Sequence, residues 1–506
     1  MGKLDEFKLN NTIEYKGYWD ISSTNVGENE WIQTAVPGVL KLNNGQAKLE
    51  LNGVLNFLNH IKIHDGIDIF GYLSNGLYVK LEKCYQISMK LSVPGYKIEN
   101  YICNKCIVLN KNYFDSDNDE DIKVTKVRFS IDYLEDWYNV DLPESNIFDE
   151  HNDFSIKYKN EFFENNEFKI LNDDYIIKLV RKQNFNYLIH RGVVPEVKSY
   201  IKVSSINFNA VSLYTMYEIA TWMKDFINFI TQIYGNFLCF EFALEDKNHC
   251  EKAVKLDNGD YKCLNPIYLG KLLIQQIIDG NNQLKVNSLR LKDILEDFDL
   301  LIRNWFLNKE KLIYIISLHN QNKISNLDIN TKLVNQIKIL ETYYDNYKKR
   351  EREEISDREN KLNETKSKVK EFLNEIDVEN NIKEEIIIKI DHKSKSKNPS
   401  LREKLKVTLE DLPEDLKCIF YYVDPGWEKD NNFTDEFAER LKDTRNYHIH
   451  GANPNKNKKR YKTIKEIITV NQILDYIIYF LVLKSLELDD MKILNYPFIK
   501  QKLKNY

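Results

Sequence analysis

Glycine is scarce: 17 among 506 residues, about half of ordinary usage. Gly-rich phosphate cradles need several glycines at fixed offsets, and none is found. The nearest approach, Gly71 to Gly76, is followed by Leu77 where a P-loop requires lysine. Neither HExxH nor GxSxG occurs, which removes zincin and nucleophile-elbow chemistry. An excess of one charge is also missing, since 72 Lys+Arg against 77 Asp+Glu leave a net charge of −5. Any nucleic-acid site must then be a local patch. Long apolar runs are absent. Tyr476 to Leu483 is bounded by Asp475 and Lys484 and spans about 12 Å as helix, far short of a bilayer. The start, MGKLDEFKLN, mixes charge into every turn and does not read as a signal peptide. A cytoplasmic protein without a membrane segment is the expectation.

Seven cysteines, an odd number without a secretion signal, fit a reducing compartment. Cys103 and Cys106 form a lone CxxC, whereas a structural zinc site needs four ligands. Cys84, His60 or His64 would have to complete that set, and His249, Cys250 and Cys263 form an equally loose group. Ordinary cysteines are the simpler reading, with no metal and no cofactor.

What is present is a globular balance, 42% apolar and 29% charged. The fold class expected is α+β: a β-rich N-terminal region, either antiparallel sandwich or barrel, followed by an all-α bundle. Over residues 1–205, runs such as Ala47–Leu51, Gly76–Leu81 and Ile87–Val93 carry apolar residues at alternate positions. Turn formers bound them, among them Asn43-Asn44-Gly45, the strongest kind of short-range hairpin signal, and Pro94-Gly95. Asp115–Asp121 lacks the glycine and distal glutamate of an EF-hand and reads as a solvated loop. Trp19 and Trp31 read as core.

Residues 206–325 read as a mixed α/β connecting region: a helix over Val211–Tyr234 stopped by Gly235, a strand over Phe237–Leu244, and an apolar stripe from Leu291 to Trp305. Residues 326–506 read as the helical bundle. Leu333, Ile337, Leu340 and Tyr344 form one stripe. Ile355, Leu362 and Val369 recur every seven residues with mostly polar d positions, which suggests a long solvated helix. Asp391–Ser400 reads as a flexible loop. Helices are expected around Leu401–Tyr422, Asn432–Ile449 and Ile464–Leu486.

The chemistry concentrates in Thr434–Tyr461. On a helix, Phe437, Leu441 and His448 fall within about 40° of one another and define an inward face, so His448 reads as a core or interface residue. Arg445 sits about 40° beyond Leu441, at the edge of that face, and must find a partner there. Gly451 ends the helix and Pro454 prevents its resumption. Between residues 451 and 465 come six basic side chains and no acid, Lys456, Lys458, Lys459 and Arg460 among them. That local reversal of sign suits a polyanion.

Arg445, Asn446 and His450 stand in the order R-N-x-x-x-H. Here the chain resembles the HEPN superfamily, and more closely the ApeA-type HEPN proteins of bacterial phage defence. Asn304-Trp305-Phe306, Leu340-Glu341-Thr342-Tyr343-Tyr344 and the apolar last helix add to the resemblance. So do Gly17-Tyr18-Trp19, Val36-Pro37-Gly38 and the NNGQAKLELNG hairpin of an ApeA-like N-terminal sensor region. The resemblance implies metal-independent endoribonuclease activity at a cleft between two HEPN domains, hence a homodimer or higher homo-oligomer. It further implies abortive infection through cleavage of host RNA, tRNA being one candidate, with a phage-derived trigger at the N-terminal region.

RNA carries its own nucleophile, the 2′-OH, so the enzyme needs proton transfer and charge stabilisation. Histidine at a helix end supplies the first, with Asn446 one turn back to orient it. Arginine offers a planar donor array to non-bridging oxygens. The products would be a 2′,3′-cyclic phosphate and a 5′-OH, and Lys456, Lys458, Lys459 and Arg460 would bind RNA. Arg445 and His450 lie about 140° apart on an ideal helix. They converge only if the last turn unwinds at Gly451 or a partner chain completes the site, and both are expected. A non-catalytic RNA- or nucleotide-binding module and a protein-interaction scaffold are the rival readings.

Overall fold

The computed structural model describes residues 12–22, 35–43, 45–55, 66–91, 95, 97–110, 122–138, 144–148, 154–157, 167–188, 192–206, 209–244, 253–255, 261–263, 270–274, 284–324, 327–348, 355–376, 379–395, 399–429, 433–451 and 459–503. Trp31, His60, His64, Asp115–Asp121, His249, Cys250, Lys456 and Lys458 lie outside them. The chain divides into two compact units, Met1–Lys285 with Arg290–Phe306, and Val286–Leu289 with Leu307–Tyr506. The first is β-rich and the second helical.

Six strands of the first unit close into an antiparallel barrel: β1 (Thr12–Asp20), β2 (Val36–Asn43), β3 (Gln46–Leu51), β4 (Ile67–Leu73), β5 (Tyr78–Leu91) and β6 (Lys97–Cys103). The ring runs β5-β4-β1-β2-β3-β6 and returns to β5, which resolves the choice between sandwich and barrel. The expected hairpin joins β2 to β3, with Asn43 opposite Gln46 and Gly45 at φ +77°. Alternate residues point inward, and Trp19, Leu40, Leu49, Ile69, Leu81 and Tyr101 are buried.

Two of the scarce glycines, Gly38 and Gly71, lie against Trp19, and a third, Gly17, pairs with Gly38. Gly17 and Gly38 are register partners whose added Cβ atoms would come within 2.7 and 2.6 Å of neighbouring carbonyl oxygens, and one at Gly71 would lie 2.3 Å from the indole. The barrel closes this tightly because those positions carry no side chain.

β5 also leaves the barrel. Its first half pairs with β7 (Lys105–Leu109) and its second half with β6, and Lys83, at φ +49°, turns the strand between them. Beyond β7 the sheet continues antiparallel through Gly270–Ile274, Phe237–Leu244, Lys123–Ile131, Gly192–Ser205, Tyr175–Leu188 and Glu167–Ile170. Helix α1 (Leu213–Thr231) covers it with Leu213, Met216, Ala220, Met223 and Ile227 buried. Trp222 of α1 stacks on Trp305 of α2 (Phe298–Leu307) with centroids 4.7 Å apart. Each indole N–H donates to the other residue's carbonyl, at 3.1 and 3.0 Å.

Cys84 and Cys103 correct the expectation of ordinary thiols. They face each other across β5 and β6 and are joined as a disulfide, with Cα atoms 4.5 Å apart. Cys103 therefore pairs with Cys84 and not with Cys106, which is buried and free.

The second unit contains α3 (Lys309–Lys323), α4 (Ile329–Tyr343), α5 (Ile355–Glu375), α6 (Asn380–Lys395), α7 (Leu401–Glu410), α8 (Phe433–His450) and α9 (Ile464–Ser485). The apolar faces of α3, α4, α7, α8 and α9 form its core, with α4 against α3, α8 and α9, and α8 against α7. α5 forms as the expected solvated helix, with Val369 and Phe372 exposed. The loop expected at Asp391–Ser400 is displaced. α6 runs through Lys395, and Ser400 caps α7 by accepting from the Glu403 N–H while Glu403 accepts from the Ser400 N–H at 2.7 Å. α9 is long and apolar enough to cross a membrane by length and composition, yet 61% of its most apolar window is buried in the protein, as suits a core helix.

Candidate active site

α8 carries the motif. Asp435 and Glu436 favour its first turn, and Phe437, Ala438 and Leu441 bury its inner face. Gly451, at φ +55°, follows the last helical residue, as a left-handed C-terminal glycine does. The chain that returns after the basic run is fastened along this helix. The Tyr461 N–H donates to Thr444 Oγ1 at 3.0 Å, and Thr444 donates to the Arg440 carbonyl at 2.7 Å. Tyr461 is buried, and burial pushes its hydroxyl well above the ordinary range.

This strapping sets where the basic residues stand. Lys459 pairs with Glu439 at 2.7 Å, and that contact holds the Glu439 carboxyl below its usual range. The Arg460 guanidinium lies 4.2 Å from the centroid of Tyr447. Lys459 is thus neutralised by its own chain, while Arg460 is brought to the motif.

Arg445 meets its partner inside the same bundle. Its Nη2 lies 3.5 Å from Oε2 of Glu341 on α4, and its Nε is buried without a hydrogen-bond partner among the described residues. Glu341 also faces Lys404 of α7 at 3.7 Å, and Lys404 reaches Asp345 at 2.8 Å. Asn446 is half-buried, and His450 is exposed at the helix end. Neither side chain hydrogen-bonds to the described residues.

Two expectations change. The last turn does not unwind: α8 is regular through His450, so Arg445 and His450 remain about 140° apart. His448 is not core. The helix has passed beyond the packed residues by that turn, and His448 is exposed with its ring edge-on to Tyr447, centroids 5.3 Å apart. Burial of its partly covered ring lowers its pKa, Arg460 adds to this and Asp328 opposes it.

Sequence reasoning missed Glu341 and Lys404. Glu341 lies 104 residues before Arg445, and no spacing links them. Among the described residues, no group of His, Cys, Asp or Glu could hold a metal ion.

Two family models match the chain. One, described as ApeA N-terminal domain 1, covers residues 14–305, and the other, described as Apea-like HEPN, covers residues 334–492. The second contains the whole R-N-x-x-x-H motif. No curated protein and no solved structure matches.

Proposed function

Because the chain belongs to the ApeA-type HEPN family, whose HEPN domains are in general nucleases of anti-phage defence, we propose that it is a metal-independent endoribonuclease. It acts from the cytoplasm in abortive infection and cuts host RNA, with tRNA a candidate substrate. The observation that carries this reading is Arg445-Asn446-x-x-x-His450 at the C-terminal end of α8, within the matched HEPN segment.

The chemistry follows from what each side chain offers. Arg445 presents donors to the non-bridging phosphate oxygens and stabilises charge as the phosphorane forms. His450 takes the 2′-OH proton or delivers one to the departing 5′-oxygen. Asn446, one turn before His450, orients the ring or a phosphate oxygen. The reaction yields a 2′,3′-cyclic phosphate and a 5′-OH.

The divergence of Arg445 and His450 on a regular helix supports a homodimer or higher homo-oligomer through the HEPN domain, in which Arg445 of one chain and His450 of another face one phosphate. Arg460, beside Tyr447, adds a cation for RNA, and Lys456 and Lys458 extend the same basic segment. In this reading a phage-derived trigger engages the β-rich region and releases the nuclease.

Total RNA incubated in EDTA with the full chain tests the proposal. Cleavage by the wild type and a loss of about a hundredfold or more in Arg445→Ala and in His450→Ala are expected. Cleavage that needs metal, or that survives both substitutions, sinks the assignment. RNA retention without cleavage turns it into a binding module.

A further inference from the structure

We propose that Glu341 is a positioning residue for Arg445, held in place by Lys404 and Asp345. The proposal rests on the nuclease reading only in giving Arg445 a phosphate to grip. Four charges alternate across three helices: Arg445 on α8, Glu341 on α4, Lys404 on α7, and Asp345 in the π-helical turn Tyr344–Lys348 that continues α4. The set is neutral, and its inner members are substantially withdrawn from water, with 25% of the Glu341 side chain and 13% of Lys404 exposed.

The geometry separates a support from a competitor. A carboxylate that filled the guanidinium fork with two short parallel bonds would have to leave before a phosphate could enter. Glu341 instead touches one nitrogen, Nη2, at 3.5 Å, while Nε is buried, so no two-bond fork has to be displaced before a phosphate meets the guanidinium. Its second oxygen faces Lys404, which Asp345 holds at 2.8 Å. Glu341 is therefore a braced post against which Arg445 is fixed. A braced arginine loses less conformational freedom when the phosphate arrives, which lowers the barrier to the transition state.

The test is a set of rates on a short oligoribonucleotide in EDTA, with the full chain as wild type, Glu341→Gln, Glu341→Asp, Arg445→Ala and the Glu341→Gln/Arg445→Ala double variant. Glu341→Gln should lower kcat about tenfold or more, the scale on which small misplacements of a catalytic group act, with KM little changed. Glu341→Asp should retain more activity than Glu341→Gln. In the Arg445→Ala background Glu341→Gln should add nothing, because the two act as one unit. An additive loss, or a rise in kcat showing the carboxylate to be a brake, overturns the proposal.

If Glu341→Gln does not fold, Asp345→Asn takes its place, with a smaller loss and the same non-additivity expected. Binding of the same oligonucleotide with 2′-deoxy sugars is measured in parallel. Non-additivity in binding without wild-type cleavage would remove the nuclease reading and leave the positioning role intact. Additivity in both measurements removes the positioning role.

Discussion

Two histidines two residues apart on α8 have opposite circumstances. His450 stands on the same side as Asn446, about 40° away, and His448 points about 160° from His450. His448→Ala is therefore expected to keep turnover within about threefold of wild type, while His450→Ala loses about a hundredfold or more. Initial rates on one substrate check both, and a large loss at His448 would place the chemistry on the wrong face. Arg445 shows the limit of reading at this scale. That an arginine at the edge of an apolar face needs a partner is legible in the sequence. Which carboxylate serves is not, because the Arg445–Glu341 pair exists only once α4 and α8 pack.

Local signals of different strength account for what was legible in the elements. Asn-Gly between alternating runs announced the β2–β3 hairpin, and Gly451 announced the end of α8. The double role of β5 was not announced, since its bend at Lys83 comes from pairing with two different neighbours. Asp391–Lys395 looked like loop from its composition, yet α6 continues through it.

The entry to α9 gives a prediction at the same scale. Thr463 accepts from the Glu466 N–H, and the Glu466 carboxylate accepts from the Thr463 N–H at 2.8 Å. Those backbone contacts hold the Glu466 carboxyl below its usual range. A depressed carboxyl stabilises the folded state above its ordinary pKa, and that contribution is lost as pH falls through the folded value. Thr463→Ala should cost about 1 kcal/mol near neutral pH. Glu466→Gln should lower the melting temperature at pH 7 and bring it closer to wild type below about pH 4. Thermal melts across pH check this, and a deficit that widened on acidification would contradict it.

At the scale of the whole molecule, a β-rich unit and a helical unit were both legible, because period-two and three-to-four spacing separate cleanly along the chain. Barrel closure was not, since β5 and β6 close the ring only after β4, β1, β2 and β3 have paired in turn. The expected unwinding of α8 failed for a related reason. With Gly451 taking up the left-handed position, the helix reaches His450 without distortion. On the proposed nuclease reading, convergence of Arg445 with a histidine then needs a second chain.

Mixing Arg445→Ala chains with His450→Ala chains tests that most directly. Each variant alone should be down about a hundredfold or more on RNA in EDTA. After co-refolding or subunit exchange, half the dimers are mixed and half of their Arg–His pairs are intact, so activity should return to about a quarter of wild type. Two variants that stay at that reduced level when mixed, with mixed dimers demonstrably formed, would contradict a site shared between chains.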